Sequence, residues 1–267
     1  MTATFAQPDA GWVKPPVQGT AGQITAHVTG ILQQAMKHHP RSLQAAPGPS
    51  ELGTPCVRRL AYKIAGWDRP NDDRDQWLST IGTAVHAWMA ETFEAQNRKL
   101  AGTPAHDRYL VEHRVHLPCG ISGSCDLYDR DTGTVIDWKV TSPDNIRKYR
   151  RSGPGQQYRV QAHLYGLGML LAGEHPEHVA DVFLPRGGLL SGLYVWTEPF
   201  DASVATEALR RYETTRSALI TTDPEQYPQR WGLFPTAEAH CSWCPYHLPM
   251  SPDLSRGCPG HRASTPR

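Results

Sequence analysis

Residues 121–140 read ISGSCDLYDRDTGTVIDWKV, and their pattern decides the fold. Asp-Arg-Asp-Thr-Gly at 129–133 has the chemistry of a tight turn between two strands. With a loop over 130–133, Asp129 pairs with Thr134. Antiparallel register is constant, so Asp126 then faces Asp137 across the pair, with Cβ atoms about 4.5–5.5 Å apart. Asp137 and Lys139 are two apart on one strand and share a face, while Ile136, Trp138 and Val140 point the other way into apolar packing. Cys125 falls on the face opposite Asp126, which places it in the core. One face thus gathers Asp126, Asp137 and Lys139. Adjacent carboxylates repel unless a proton or a cation sits between them, and a few hard oxygen ligands suit Mg2+ or Mn2+. Such an ion can hold a phosphodiester oxygen and activate water, and a nearby Lys can orient that water or stabilise negative charge. Taken alone, the pattern also fits an exposed hairpin with solvated charges. A one-residue shift of the loop would separate the two acids.

Outward from the hairpin, a long helix is expected over 76–97, with Trp77, Ile81, Val85, Trp88, Met89 and Phe93 at helical spacing. Strands follow at 109–117, 121–129 and 134–141. A helix over about 156–172 stops at Gly173. Strands near 179–184 and 191–197 come next, and Asp201 caps a helix through Ile220. Upstream, 56–65 forms a short helix stopped by Gly66, 23–38 is an amphipathic helix, and 45–55 reads as a linker. The order indicates a mixed α/β fold rather than an all-parallel wound sheet. Three regions result: an N-terminal arm and helix over 1–49, a core over 50–222, and a Pro-rich, irregular, Cys-rich segment over 223–267.

The chain has 267 residues with a formal net charge of +1. That length can bury a substantial core. Hydrophobic residues at 39% and charged residues at 20% exclude a disordered tail or a fibre. No apolar run is long enough to span a bilayer, and the first residues lack a signal-peptide pattern, so the expectation is a soluble, cytoplasmic protein without membrane contact. The near-zero net charge neither supports nor excludes nucleic acid, since distribution matters more than the sum. Arg147, Lys148, Arg150, Arg151 and Arg159 cluster in a stretch without acids (147–159), read as a basic loop. Tyr149 and Tyr158 interleave with them. Phosphate contacts with aromatic stacking are the ingredients of single-strand binding, and Arg58 and Arg59 could add to that surface. Six cysteines are too sparse for a disulfide scaffold. Cys241-Ser-Trp-Cys244 lies among prolines rather than at a strand-to-helix turn, which argues for metal binding over a thioredoxin-type site. Cys241, Cys244, Cys258 and His261 also have zinc-ribbon spacing.

Gly123-x-x-Asp126 followed by Asp137-x-Lys139 resembles the core motif of the PD-(D/E)xK nucleases, in their RecB-like exonuclease branch. Gly82-Thr-Ala-Val-His86 resembles the family's upstream helix motif, and Gln161-Ala-His-Leu-Tyr165 its downstream Gln-x3-Tyr. The order of elements matches as well, over about residues 50–262. The resemblance implies a restriction-endonuclease-like αβββαβ core, a mixed central sheet flanked by helices. It implies His86, Asp126, Asp137 and the Trp138 carbonyl as ligands of Mg2+ or Mn2+, Lys139 as catalytic, and Gln161 and Tyr165 as positioning residues. This sequence has Asp137 where Glu is common. Some members carry an iron–sulfur cluster on one Cys before the core and three after it, and CVRRLAYKIAG at 56–66 is similar to their first-cysteine segment. The resemblance therefore implies a 4Fe–4S cluster on Cys56, Cys241, Cys244 and Cys258, with zinc as the alternative. Cys119 and Cys125 are left with structural roles. The implied activity is a metal-dependent DNA exonuclease acting on single strands or DNA ends in recombination, repair or phage DNA processing. Without a helicase motif, unwinding would need a helicase or recombination partner. The competing class is a non-catalytic zinc-ribbon or DNA-binding partner protein.

Overall fold

The computed structural model describes residues 18–37, 46–71, 76–104 and 106–261. The arm over 1–17 and the stretch 38–45 lie outside the described residues. Two units are distinguished. The first, Met1–Leu43, is described through helix α1, Gln18–Lys37.

The second, Gln44–Arg267, runs α2 (Pro49–Leu52), α3 (Val57–Ile64), α4 (Trp77–Leu100), β1 (Tyr109–His116), β2 (Ser122–Asp129), β3 (Thr134–Thr141), α5 (Pro143–Ser152), α6 (Gln156–Leu171), β4 (His178–Pro185), β5 (Tyr194–Pro199) and α7 (Ala202–Thr222). The strands form one five-stranded sheet in sequence order, antiparallel except for the parallel β3–β4 pair. This is the expected mixed α/β core with one more helix, α5, between β3 and α6. The parallel pair requires a crossover, which α5 and α6 supply.

The β2–β3 turn has the expected register, Asp129↔Thr134. Gly133 sits at φ 57°, where a side chain is strained, and its carbonyl accepts the Glu177 and His178 amides at 2.8 and 3.1 Å. Apolar layers cover both faces of the sheet. On one, Leu127, Trp138 and Val182 pack with Val85, Met89 and Phe93 of α4. On the other, Val115, Tyr128, Val135 and Val179 pack with Ala162, Tyr165 and Met169 of α6.

Three expectations need correction. The expected linker over 45–55 contains α2, whose Leu52 is fully buried. Gly53 there lies so close to the Gln157 backbone that an added Cβ would stand 2.5 Å from its carbonyl oxygen. The strand expected from 191 begins at Tyr194, because 190–192 form a 3-10 turn. The basic loop is largely helical, since 147–152 close α5 and 156–159 open α6; Ser142 caps α5 through the Asn145 amide, and Pro143 takes its first position.

The segment after α7 is irregular, with 3-10 turns at Pro228–Leu233 and Cys241–Trp243, yet it has its own core. Trp231, Phe234 and Tyr246 pack on Ala61 and Tyr62 of α3. Tyr62 donates to the Leu254 carbonyl at 2.5 Å, Trp67 to that of Ser255 at 2.6 Å, and Asn71 to that of Cys244 at 2.9 Å.

Candidate active site

The site begins with an interruption of the sheet. β1 and β2 keep one register from Tyr109↔Asp129 to His116↔Ser122, but Glu112 and Asp126, which that register sets opposite each other, do not pair. At Glu112 the backbone turns to φ 46°, a left-handed value costing a non-glycine residue on the order of 1–3 kcal/mol. The strands change face there. Leu110 and Val115 both join the α6-side layer, as do Cys125 and Tyr128. Regular alternation would put residues an odd number apart on opposite faces. The paired kinks take both carboxylates out of the alternating pattern.

The β2–β3 pairing stops at the same level, with Leu127↔Ile136 as its last pair. Beyond it the two strands form a fork. Asp126 Oδ2 accepts the Trp138 amide at 2.8 Å, and Asp126 Oδ1 lies 3.2 Å from His86 Nδ1. His86, on α4, places its Nε2 3.0 Å from the Trp138 carbonyl oxygen. Ligand atoms of His86, Glu112 and Asp126 lie within 4.8 Å of one another, the one such group of His, Cys, Asp and Glu among the described residues. Glu112 was not expected from sequence. The β1–β2 register places it across from Asp126, but no sequence motif sets that register.

Asp137 belongs to the other wall of the fork. Lys139 ion-pairs with its carboxylate and donates to Gln161 Oε1 at 2.8 Å. The Gln161 amide donates to Asp137 Oδ1 at 3.1 Å and lies 3.5 Å from the Tyr165 hydroxyl. The Lys139 ammonium also stands 4.6 Å from the centre of the Tyr158 ring. The expected residues thus form two sets: His86, Asp126 and the Trp138 carbonyl, and Asp137, Lys139, Gln161 and Tyr165. Parallel register adds a further acid, Asp181 of β4, beside Asp137.

Burial sets the electrostatics. It pushes the Asp137 carboxyl up to about 6 against the pull of Lys139, with Asp126 adding to the rise. It likewise pushes Asp181 up to about 7. Burial opposes the Lys139 charge, but Asp137 and then Asp181 overcome it and hold the ammonium above the usual lysine range. The fork is a concentration of negative charge with one internal cation, an arrangement that favours a divalent ion.

The basic residues are less available than their run suggests. Arg147 pairs with Asp144 one turn earlier. Arg150 donates to the Gly192 and Leu193 carbonyls at 3.3 and 3.1 Å, and Arg159 pairs with Glu198 at 2.5 Å. Lys148 and Arg151 are exposed on α5. Tyr149 and Tyr158 pack on Phe183 at ring separations of 4.5 and 6.2 Å, which makes them a wall of the core rather than an open stacking platform. Arg58 and Arg59 bond the Phe234 and Ala239 carbonyls and clasp the C-terminal segment.

Cys56, Cys241, Cys244 and Cys258 line one pocket, together with His247 and His261. All are free thiols. Arg58 lies 3.8 Å from Cys258 Sγ, and the His261 amide donates to Cys241 Sγ at 3.3 Å. His261 Nδ1 lies 3.1 Å from the Thr236 hydroxyl. Cys125 is fully buried under α6, and Cys119 is exposed at a turn.

Neither a comparison with models of known families nor one with curated proteins finds a match. Among solved structures, the chain is similar to the alkaline exonuclease LHK-Exo from Laribacter hongkongensis at 15% identity and a TM-score of 0.37, covering 69% of this chain and 96% of that one. The same exonuclease in complex with dAMP gives a TM-score of 0.36. A phage-related exonuclease from Haemophilus somnus 129PT gives 14% identity and a TM-score of 0.37, over 60% of this chain and 78% of that one.

Proposed function

We propose that this chain is a divalent-metal-dependent deoxyribonuclease acting at DNA ends or on single strands. The observation that carries the reading is the fork, where His86, Asp126 and the Trp138 carbonyl converge beside the Lys139–Gln161–Asp137 chain. The carboxylate and carbonyl donors fit Mg2+ or Mn2+, the His86 imidazole favours the softer Mn2+ of the two, Glu112 is an added ligand and Asp137 lies across the fork. An ion held there would polarise a phosphodiester oxygen and ease the deprotonation of water. The chain's own residues do the remaining work. Lys139 stays protonated and faces negative charge developing on the phosphate. Gln161 fixes Lys139 and Asp137 together, so neither has to be oriented when substrate arrives. Lys148 and Arg151 supply phosphate contacts on α5.

Digestion of end-labelled single- and double-stranded oligonucleotides with Mn2+ tests the reading and reports polarity. Wild type should cut, and EDTA should stop it. Asp126→Asn and Lys139→Ala should each lose about a hundredfold or more in rate with the fold retained. Cleavage at the wild-type rate in either variant, or unaffected by EDTA, would remove the proposal.

For the cysteine pocket we propose an iron–sulfur cluster on Cys56, Cys241, Cys244 and Cys258. The thiols meet in one pocket, and four thiolates can hold such a cluster. Protein purified without oxygen should be brown and contain iron and acid-labile sulfide. Colourless protein with one equivalent of zinc would assign the pocket to zinc instead.

A further inference from the structure

β4 reads HVADVFLP, with one acid in a buried strand. Asp181 is 0% exposed, and neither of its oxygens has a hydrogen-bond partner. A buried carboxylate left in that state is a cost that a fold retains only for a reason.

The cation whose charge reaches it is Lys139. Parallel pairing sets Asp181 beside Asp137 and Phe183 beside Lys139. Asp181 and Lys139 are therefore diagonal neighbours on the face that α6 covers, within reach of a long side chain. Asp137, Asp126 and Glu198 surround Asp181 with negative charge, and Lys139 is the main group that offsets it. Lys139 spends its charge on Asp137 and its hydrogen bond on Gln161. A divalent ion held by Asp137 would be the largest local charge and would weaken that anchor.

We propose that Asp181 is a second, buried counter-charge that keeps the Lys139 ammonium at the fork when a divalent ion engages Asp137. It acts as a positioning residue: it lies beneath the sheet surface, and its two oxygens supply the acceptors that Asp137 gives up. The catalytic consequence rests on the nuclease reading; the pairing with Lys139 does not.

The test is a double-mutant cycle on the full chain with Asp181→Asn, Lys139→Met and the double variant, followed by urea unfolding with and without Mn2+. Asp181→Asn should favour the folded state more in the Lys139→Met background than in wild type, by about tenfold or more in the unfolding constant. Additivity within about twofold would overturn the proposal. With Mn2+ and a labelled oligonucleotide, Asp181→Asn should lower kcat about tenfold or more. KM and the Mn2+ half-saturation should stay within about twofold. An unchanged kcat would also overturn it. Coupling in a wild-type protein that cuts no DNA would remove the nuclease reading and leave the Asp181–Lys139 pairing standing.

Discussion

Glu112 occupies a position that no motif marks. Its part in the site depends on one backbone angle, φ 46°, which no pattern of residue types announces. His86, Asp126, Asp137, Lys139 and Gln161 were legible because each sits at a motif spacing; Glu112 was not, because regular alternation hides where a strand kinks. Asp181 did leave a trace, as a lone acid in an apolar strand, which signals a paired or functional group. Glu112→Gln keeps the shape and removes one charge, so calorimetric Mn2+ affinity should fall about 10–100-fold. The buried acids also make stability depend on pH. Asp137 and Asp181 rise from the usual carboxylate range to about 6 and about 7, so between about pH 4 and 7 the folded state binds more protons than the unfolded one. Folded stability is therefore highest at the acid end of that window and is lost as pH rises through it. The melting temperature of metal-free protein should fall from pH 5 to pH 7.5, and saturating Mn2+ should reverse that slope, since the ion competes with those protons.

At the scale of elements, the hairpin was readable because Asp-Thr-Gly fixes the turn and the turn fixes the register. α5 was missed for an opposite reason. RKYRRSGPG has little apolar periodicity, and its helical signal lies upstream in Ser142-Pro143-Asp144, a cap, a first-position Pro and a first-turn acid. The helix turns the basic run from a loose guide into a partly neutralised surface, with Arg147 paired to Asp144. α6 carries Gln161 and must lie close to β1, and Gly168 makes this possible. A Cβ there would stand 2.5 Å from Val115 Cβ. Gly168→Ala should cost about 1–3 kcal/mol in urea unfolding. It should also lower kcat more than it raises KM, because displacing α6 moves Gln161 away from Lys139.

At the scale of the whole second unit, the C-terminal segment is a structural member and not a tail. Its expected irregularity was correct, but composition could not show that Trp231, Phe234 and Tyr246 close over Tyr62. Trp231→Ala should destabilise the unit by about 3–5 kcal/mol, read as one cooperative shift of the unfolding midpoint by near-UV and far-UV circular dichroism. If only the near-UV signal moved, the segment would be an independent module. Chain order adds a constraint in time. At about 5–20 residues per second, a ribosome needs roughly 10–40 s to go from residue 56 to residue 258. Throughout that interval Cys56 waits for its counterparts, and the Tyr62 face of α3 stays uncovered. The young chain therefore passes through a stage with a free thiol and a sticky helix side by side, in which oxidants and chaperones would have their best access to it.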